Sequence, residues 1–145
     1  MKYKLIIDET KEEEIVIVCH QKRAIFDQIE QLINNMDTSL IGYDNEDIVM
    51  LNYSDIHCFI SENNKVYALT DKHKYQIKKR LYQIEEILDL NFVRINQSCI
   101  ANIKQIKKFS ATFNGFLQVH FKNGYIDYVS RRELKNVKEI NIKVK

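Results

Sequence analysis

The sequence predicts a mostly β chain of the α+β type: small antiparallel sheets with short flanking helices, preceded by a small N-terminal β-β-α unit. Three observations predict it. From Thr38 onward, short apolar runs alternate with polar breaks at the spacing of strands and turns. Asn-Gly occurs twice, at Asn114-Gly115 and Asn123-Gly124, and it is the strongest short-range hairpin signal a sequence carries. Helical periodicity is confined to three short segments, around 21–36, 78–88 and 130–140.

The N-terminal elements come first. "KYKLIID" from Lys2 and "EIVIVCH" from Glu14 are rich in Ile and Val, which favour strands, and the acidic turn "ETKEE" joins them. In "QKRAIFDQIEQLINNM", Ile25, Ile29, Leu32 and Met36 fall at i, i+4, i+7 and i+11, one face of a helix. This unit ends near Met36–Ser39. It makes residues 1–37 a separate extension and a candidate dimerisation unit, with the main domain over 38–145.

Beyond the boundary, "SLIGY", "DNED" and "IVMLN" spell strand, turn, strand. Ile56, Cys58 and Ile60 then alternate, and Val66 to Leu69 follow the break "SENNK". Asn63 and Asn64 suit the positive-φ positions of a hairpin turn. "KKRLYQIEEIL" places Ile77, Leu81, Ile84 and Leu88 on one helical face. The two Asn-Gly pairs make residues 103–129 a three-stranded meander. Ser130 with Glu133 has the spacing of a capping box, and Leu134, Val137 and Ile140 follow at helical spacing. Arg131 and Arg132 then fall in a first helical turn, where two cations oppose the helix dipole. That placement points to a partner for them.

The totals narrow the function. At 145 residues the chain suits one domain with a small appendage. No apolar run approaches the ~20 residues that span a bilayer, and the first residues lack a signal-peptide pattern; the expected compartment is the cytoplasm. Cys19, Cys58 and Cys99 are odd in number and widely spaced, as expected of small buried hydrophobes rather than a disulfide framework. His20, His57, His73 and His120 form no metal or nucleophile pattern, and there is no glycine-rich phosphate loop. No enzyme and no cofactor is expected. Charge is unevenly placed: residues 91–145 hold 11 Lys+Arg against 3 Asp+Glu, while the whole chain is at +2. A basic C-terminal third suits a polyanion.

The segments "DIHCFISENNKVYALT", "FVRINQSCIANIKQIKKF" and "VSRREL" together resemble the LytTR family of bacterial DNA-binding domains. The resemblance covers about residues 38–142 and rests on Phe92, Arg94, Ser98, Asn102, Ile103 and Ile106, then the Asn-Gly meander, then Ser130-Arg131-Arg132. It implies a domain of three small β sheets whose loops, rather than a recognition helix, enter successive major grooves of duplex DNA. It implies contacts at Asn63, Asn64 and Lys65, at Asn96 and Gln97, and at Arg131 and Arg132. At Asn96 and Gln97 many relatives carry a basic residue or His instead. Only about 36 residues precede the match, too few for the receiver domain that most members carry, so the chain resembles the short stand-alone regulators. Such proteins are often coupled to membrane-protein partners.

The chemistry of these side chains agrees. Arg fits guanine O6 and N7 bidentately, and Asn or Gln fits adenine N6 and N7. Lys107 and Lys108, with Lys78, Lys79 and Lys104, suit phosphates, which set register without reading sequence. Arg94 and Ser98 are expected to organise their turn, leaving Asn96 and Gln97 exposed. The expected partner is double-stranded DNA, bound as a homodimer. A second reading is a protein-interaction module that docks a membrane or regulatory partner through the N-terminal unit and the basic third. RNA binding is weaker, since Tyr67 and Tyr75 are the only aromatics near the basic loops.

Overall fold

The computed structural model describes residues 2–35 and 39–144, and the chain divides into two compact units, residues 1–37 and 38–145. In the first unit the expected helix is present as α1, Ala24–Asn35; Met36 of its expected face, and most of the expected boundary, lie outside the described residues. The two expected strands are not there. No β ladder forms over residues 2–23, which carry one turn and no regular secondary structure. At that turn the Asp8 carboxylate accepts the Thr10 N–H at 3.0 Å and the Thr10 hydroxyl at 2.6 Å. Strand propensity is high in both segments, but neither has a face to pack on: Leu5, Ile6, Ile7 and Ile15 to Val18 are all exposed. An isolated two-stranded hairpin is marginal in water. The β-β-α reading is therefore corrected to a segment without regular secondary structure followed by a helix.

In the second unit, asparagine makes turns where glycine is absent. Asn45, at φ +55°, turns β1 (Ser39–Asp44) into β2 (Asp47–Asn52). Asn63 and Asn64, at φ +53° and +62°, turn β3 (Cys58–Glu62) into β4 (Lys65–Leu69). β5 (Lys74–Ile77) precedes α2 (Leu81–Ile87), at whose start Gln83 Oε1 accepts the Arg80 N–H at 2.9 Å. β6 (Phe92–Asn96) and β7 (Cys99–Asn102) complete a seven-stranded antiparallel sheet in the order β2-β1-β5-β4-β3-β7-β6. The expected meander forms a second sheet of β8 (Ile106–Ala111), β9 (Leu117–Phe121) and β10 (Ile126–Val129), with Gly115 and Gly124 at φ +80° and +91° in its turns. Among the described residues the sheets number two, where three were expected. β1 joins β5 through the single pair Tyr43↔Gln76, so the β1–β2 ribbon is attached by its narrowest possible ladder.

The large sheet is buried on both faces at its centre, while Ile41, Ile48 and Met50 of the β1–β2 ribbon are exposed. Leu40, Leu51, Ile56, Phe59, Val66, Ala68, Ile77 and Ile100 pack with Leu81 and Ile84 of α2 on one face. Cys58, Ile60, Ile95, Cys99 and Ala101 pack on the other face with Val119, Phe121 and Val129 of the small sheet and with Val137 of α3 (Leu134–Val144). The alternation Ile56, Cys58, Ile60 thus does not share a face. The 3-10 turn Tyr53–Asp55 and the link at Ile56–His57 put Ile56 with Phe59, out of phase with Cys58 and Ile60. Buried Asn102 fixes the same corner, donating from Nδ2 to the Ile56 carbonyl at 2.8 Å and accepting the Lys104 N–H at 3.1 Å.

Gly42 of β1 is needed for space rather than for its backbone angles. A Cβ there would lie 2.7 Å from Leu51 Cδ1 and 3.0 Å from Tyr75 Cβ. Gly42→Ala is expected to destabilise the domain by about 1–3 kcal/mol through overpacking, read as a lower denaturant midpoint.

Candidate nucleic-acid interface

Two hairpin turns are held side by side. β3 pairs with β7 through Ile60↔Cys99, and the Ser61 N–H donates to the Ser98 carbonyl at 2.8 Å. The Gln97–Ser98 turn therefore flanks β3, and the Asn63–Asn64 tip projects two residues further, roughly 7 Å. Asn63, Asn64, Lys65, Gln97 and Ser98 are all exposed.

Asn96 is not. It is 3% exposed, and its amide is used on both sides. Nδ2 donates to Asp127 Oδ1 and to the Tyr128 carbonyl, each at 2.8 Å, and Oδ1 accepts the Ser98 N–H at 2.8 Å. The expectation of Asn96 as an exposed contact is thereby corrected: a buried amide with its hydrogen bonds made inside the protein has nothing left for a ligand. Asn96 shapes the turn that carries Gln97. Arg94 supports the same turn, as expected. Its Nε donates to the Asn96 carbonyl at 3.1 Å, its Nη2 to the Gln97 carbonyl at 2.6 Å, and its Nη1 to Glu85 Oε2 at 2.6 Å.

The third element follows β10. The Ser130 N–H donates to the Ile95 carbonyl at 2.9 Å, which sets the start of the Arg131–Arg132 turn against β6. The helix does not begin at Ser130. Residues 131–133 form a turn in which the Glu133 N–H bonds the Ser130 carbonyl at 3.0 Å, and α3 starts at Leu134. Arg131 and Arg132 are thus exposed on a turn before the helix rather than in its first turn. Lys107 and Lys108 are exposed on β8 but belong to a different part of the small sheet. Lys108 lies in register with His120 and Ile126, two strands across and three residues back from Val129, and so roughly 14 Å from the end of β10.

The network under the turns is polar, and sequence reasoning did not single it out. Asp127 also accepts the Tyr125 hydroxyl at 3.1 Å. Burial, and then the Asp127 charge, push the Tyr125 phenol up, so it stays protonated as a donor. A hydrogen bond with Cys58, together with burial, pushes the Cys99 thiol well up, so it packs as a neutral group. Cys58 and Cys99 are buried as expected, whereas Cys19 is exposed. His57 is held below the usual imidazole range by burial. Among the described residues, no group of three or more His, Cys, Asp or Glu is arranged to hold a metal, and no helix is long and apolar enough to cross a membrane.

The comparisons with known proteins converge. The LytTr DNA-binding domain family matches residues 46–141. An uncharacterised HTH-type transcriptional regulator of Staphylococcus aureus strain MSSA476 is 36% identical over 144 residues, 96% of this chain and 97% of that protein. Its counterpart in strain NCTC 8325 is 34% identical over the same shares. A solved LytTr DNA-binding domain from Bacillus cereus superposes with a TM-score of 0.67 at 17% identity, over 71% of this chain and 95% of that one. The relatives are named for a helix-turn-helix, yet α2 and α3 of this chain are separated by five strands. By the family match and by its curated relatives, with the same fold in a solved member, the chain belongs to the LytTR family of DNA-binding transcriptional regulators.

Proposed function

We propose that the chain recognises specific duplex DNA through its exposed turns, which enter major grooves, with Gln97 and Arg132 as the principal base readers. The observation that carries this reading is the backbone and side-chain tie between the Gln97 turn and the strand leading to Arg131–Arg132. Two reading groups on rigid neighbouring elements can address one stretch of duplex without ordering a loop at the moment of binding. Gln97 supplies the paired donor and acceptor that adenine needs, and Arg132 the fork that guanine needs. Asn63, Asn64 and Lys65 extend the contact at the hairpin tip, and Arg131 accompanies Arg132. Lys107 and Lys108, set apart on β8, hold phosphates. Two copies bind each site, the arrangement that pseudo-symmetric half-sites usually imply, and the protein acts in the cytoplasm.

A preferred duplex is obtained by enrichment from a random pool with the purified protein. On it, Arg132→Ala is expected to cost about 1–3 kcal/mol of affinity and to relax preference at one position. An unchanged affinity and sequence preference would remove Arg132 from the site. Lys107→Ala is expected to weaken all duplexes alike and to lower the salt slope by about one; a loss confined to the preferred sequence would contradict the phosphate role.

A further inference from the structure

The N-terminal unit exposes far more apolar surface than one chain has reason to carry. None of residues 2–33 is buried, and only Phe26 and Ile29 are half-covered. Leu5, Ile7, Val16 and Val18 are 80%, 85%, 70% and 92% exposed, with Ile6, Ile15, Ile17, Ile25, Leu32 and Ile33 open beside them. Together these fractions amount to on the order of 1,000 Å² of apolar surface per copy, where a standard interface takes about 800 Å² from each partner. A monomer seldom exposes a contiguous apolar patch beyond about 300–600 Å². A segment this short cannot build a core by itself, so its apolar residues need a second surface.

The charges say which surface. The first apolar segment opens with Lys2 and Lys4 and continues into Leu5-Ile6-Ile7; the second opens with Glu12-Glu13-Glu14 and continues into Ile15-Val16-Ile17. Laid side by side in the same direction, lysines meet glutamates and aliphatics meet aliphatics. One chain cannot make that pairing, because parallel strands need a crossover of a dozen or more residues and only Asp8–Lys11 separates these segments. A second copy can. We propose that residues 2–33 form a self-association surface on which two copies pair, the basic segment of one along the acidic segment of the other, with the α1 faces closing over the apolar residues. This names the contact behind the two-copy reading above, and it holds or fails independently of DNA binding.

The test uses the full chain without DNA. Sedimentation equilibrium over 1–100 µM protein is expected to give twice the 17.3 kDa chain mass. The double variant Ile7→Asp with Val16→Asp is expected to give the single-chain mass with an unchanged thermal midpoint for residues 38–145. Lys2→Glu with Lys4→Glu is expected to weaken the dimer at least tenfold, and adding Glu12→Lys with Glu14→Lys in the same chain to restore it. Energy transfer between copies labelled at Cys19, the exposed cysteine, gives a second readout that needs no substitution. A wild-type monomer across the range with no transfer overturns the proposal and leaves the surface to another partner, such as a membrane protein. A dimer that the Ile7 and Val16 changes leave intact overturns it too. A dimer that binds no duplex upholds it and defeats the DNA reading instead.

Discussion

Phe121→Ala is expected to destabilise residues 38–145 by about 3–5 kcal/mol, the range for removing a buried aromatic ring. Phe121 is buried on β9, in the layer where Cys58, Ile60, Ile95, Cys99 and Ala101 meet the small sheet. Tyr125 packs against it with ring centroids 5.8 Å apart. The rigid strands on both sides cannot collapse into the space left behind. Domains of this size are stable by about 5–15 kcal/mol in all, so the loss should be plain as a lower urea midpoint at unchanged slope. Phe121→Leu, which keeps most of the volume, should lose much less. A cost below about 1 kcal/mol would mean that the two sheets do not share a core.

Asn96→Ala is expected to cost about 2–3 kcal/mol of stability and to abolish sequence preference on DNA while leaving general affinity for duplex in place. The stability term follows from the partners left behind: Asp127 Oδ1, the Tyr128 carbonyl and the Ser98 N–H each lose a 2.8 Å bond, and buried polar groups without partners cost about 1–3 kcal/mol each before water relieves the exposed ones. The DNA term follows from position, since Asn96 joins the Gln97 turn to the strand that runs into the Arg131–Arg132 turn. The lysines proposed to hold phosphates are untouched, so the salt-dependent, sequence-independent part should survive. Gln97→Ala makes the contrast: it should lose preference with no change in stability, because its side chain is exposed. If Asn96→Ala kept full sequence preference, the two turns would not depend on that tie.

The elements that sequence reading located are those with local causes. Asn63-Asn64 and the Asn-Gly pairs carry their turn conformations in their own residues, and the structure uses each of them at positive φ or in a tight turn. The β6–β7 turn has no glycine. It forms because Asn96 accepts the Ser98 N–H and Arg94 holds the carbonyls of Asn96 and Gln97. That Asn96 faces inward depends on Asp127, 31 residues away on another sheet, and neighbouring polar residues look alike until that strand is in place. The N-terminal segments show the opposite case. Their local propensity is for strand, and within their own unit they have no face that would make the ladder stable. Arg131 and Arg132 were legible as neighbours of a helix start, but they are exposed on the turn that precedes the helix instead of opposing its dipole.

The central claim is that these turns read sequence in duplex DNA, and a salt series tests it most directly. Affinity would be measured for the duplex upstream of the protein's own coding sequence and for a scrambled duplex of the same composition, from about 50 to 200 mM salt. Both affinities should fall with salt as phosphate contacts are screened. The account requires that the preference for the native duplex persist at physiological salt and weaken in Arg132→Ala. Equal affinity for both duplexes, collapsing together as salt rises, would contradict it.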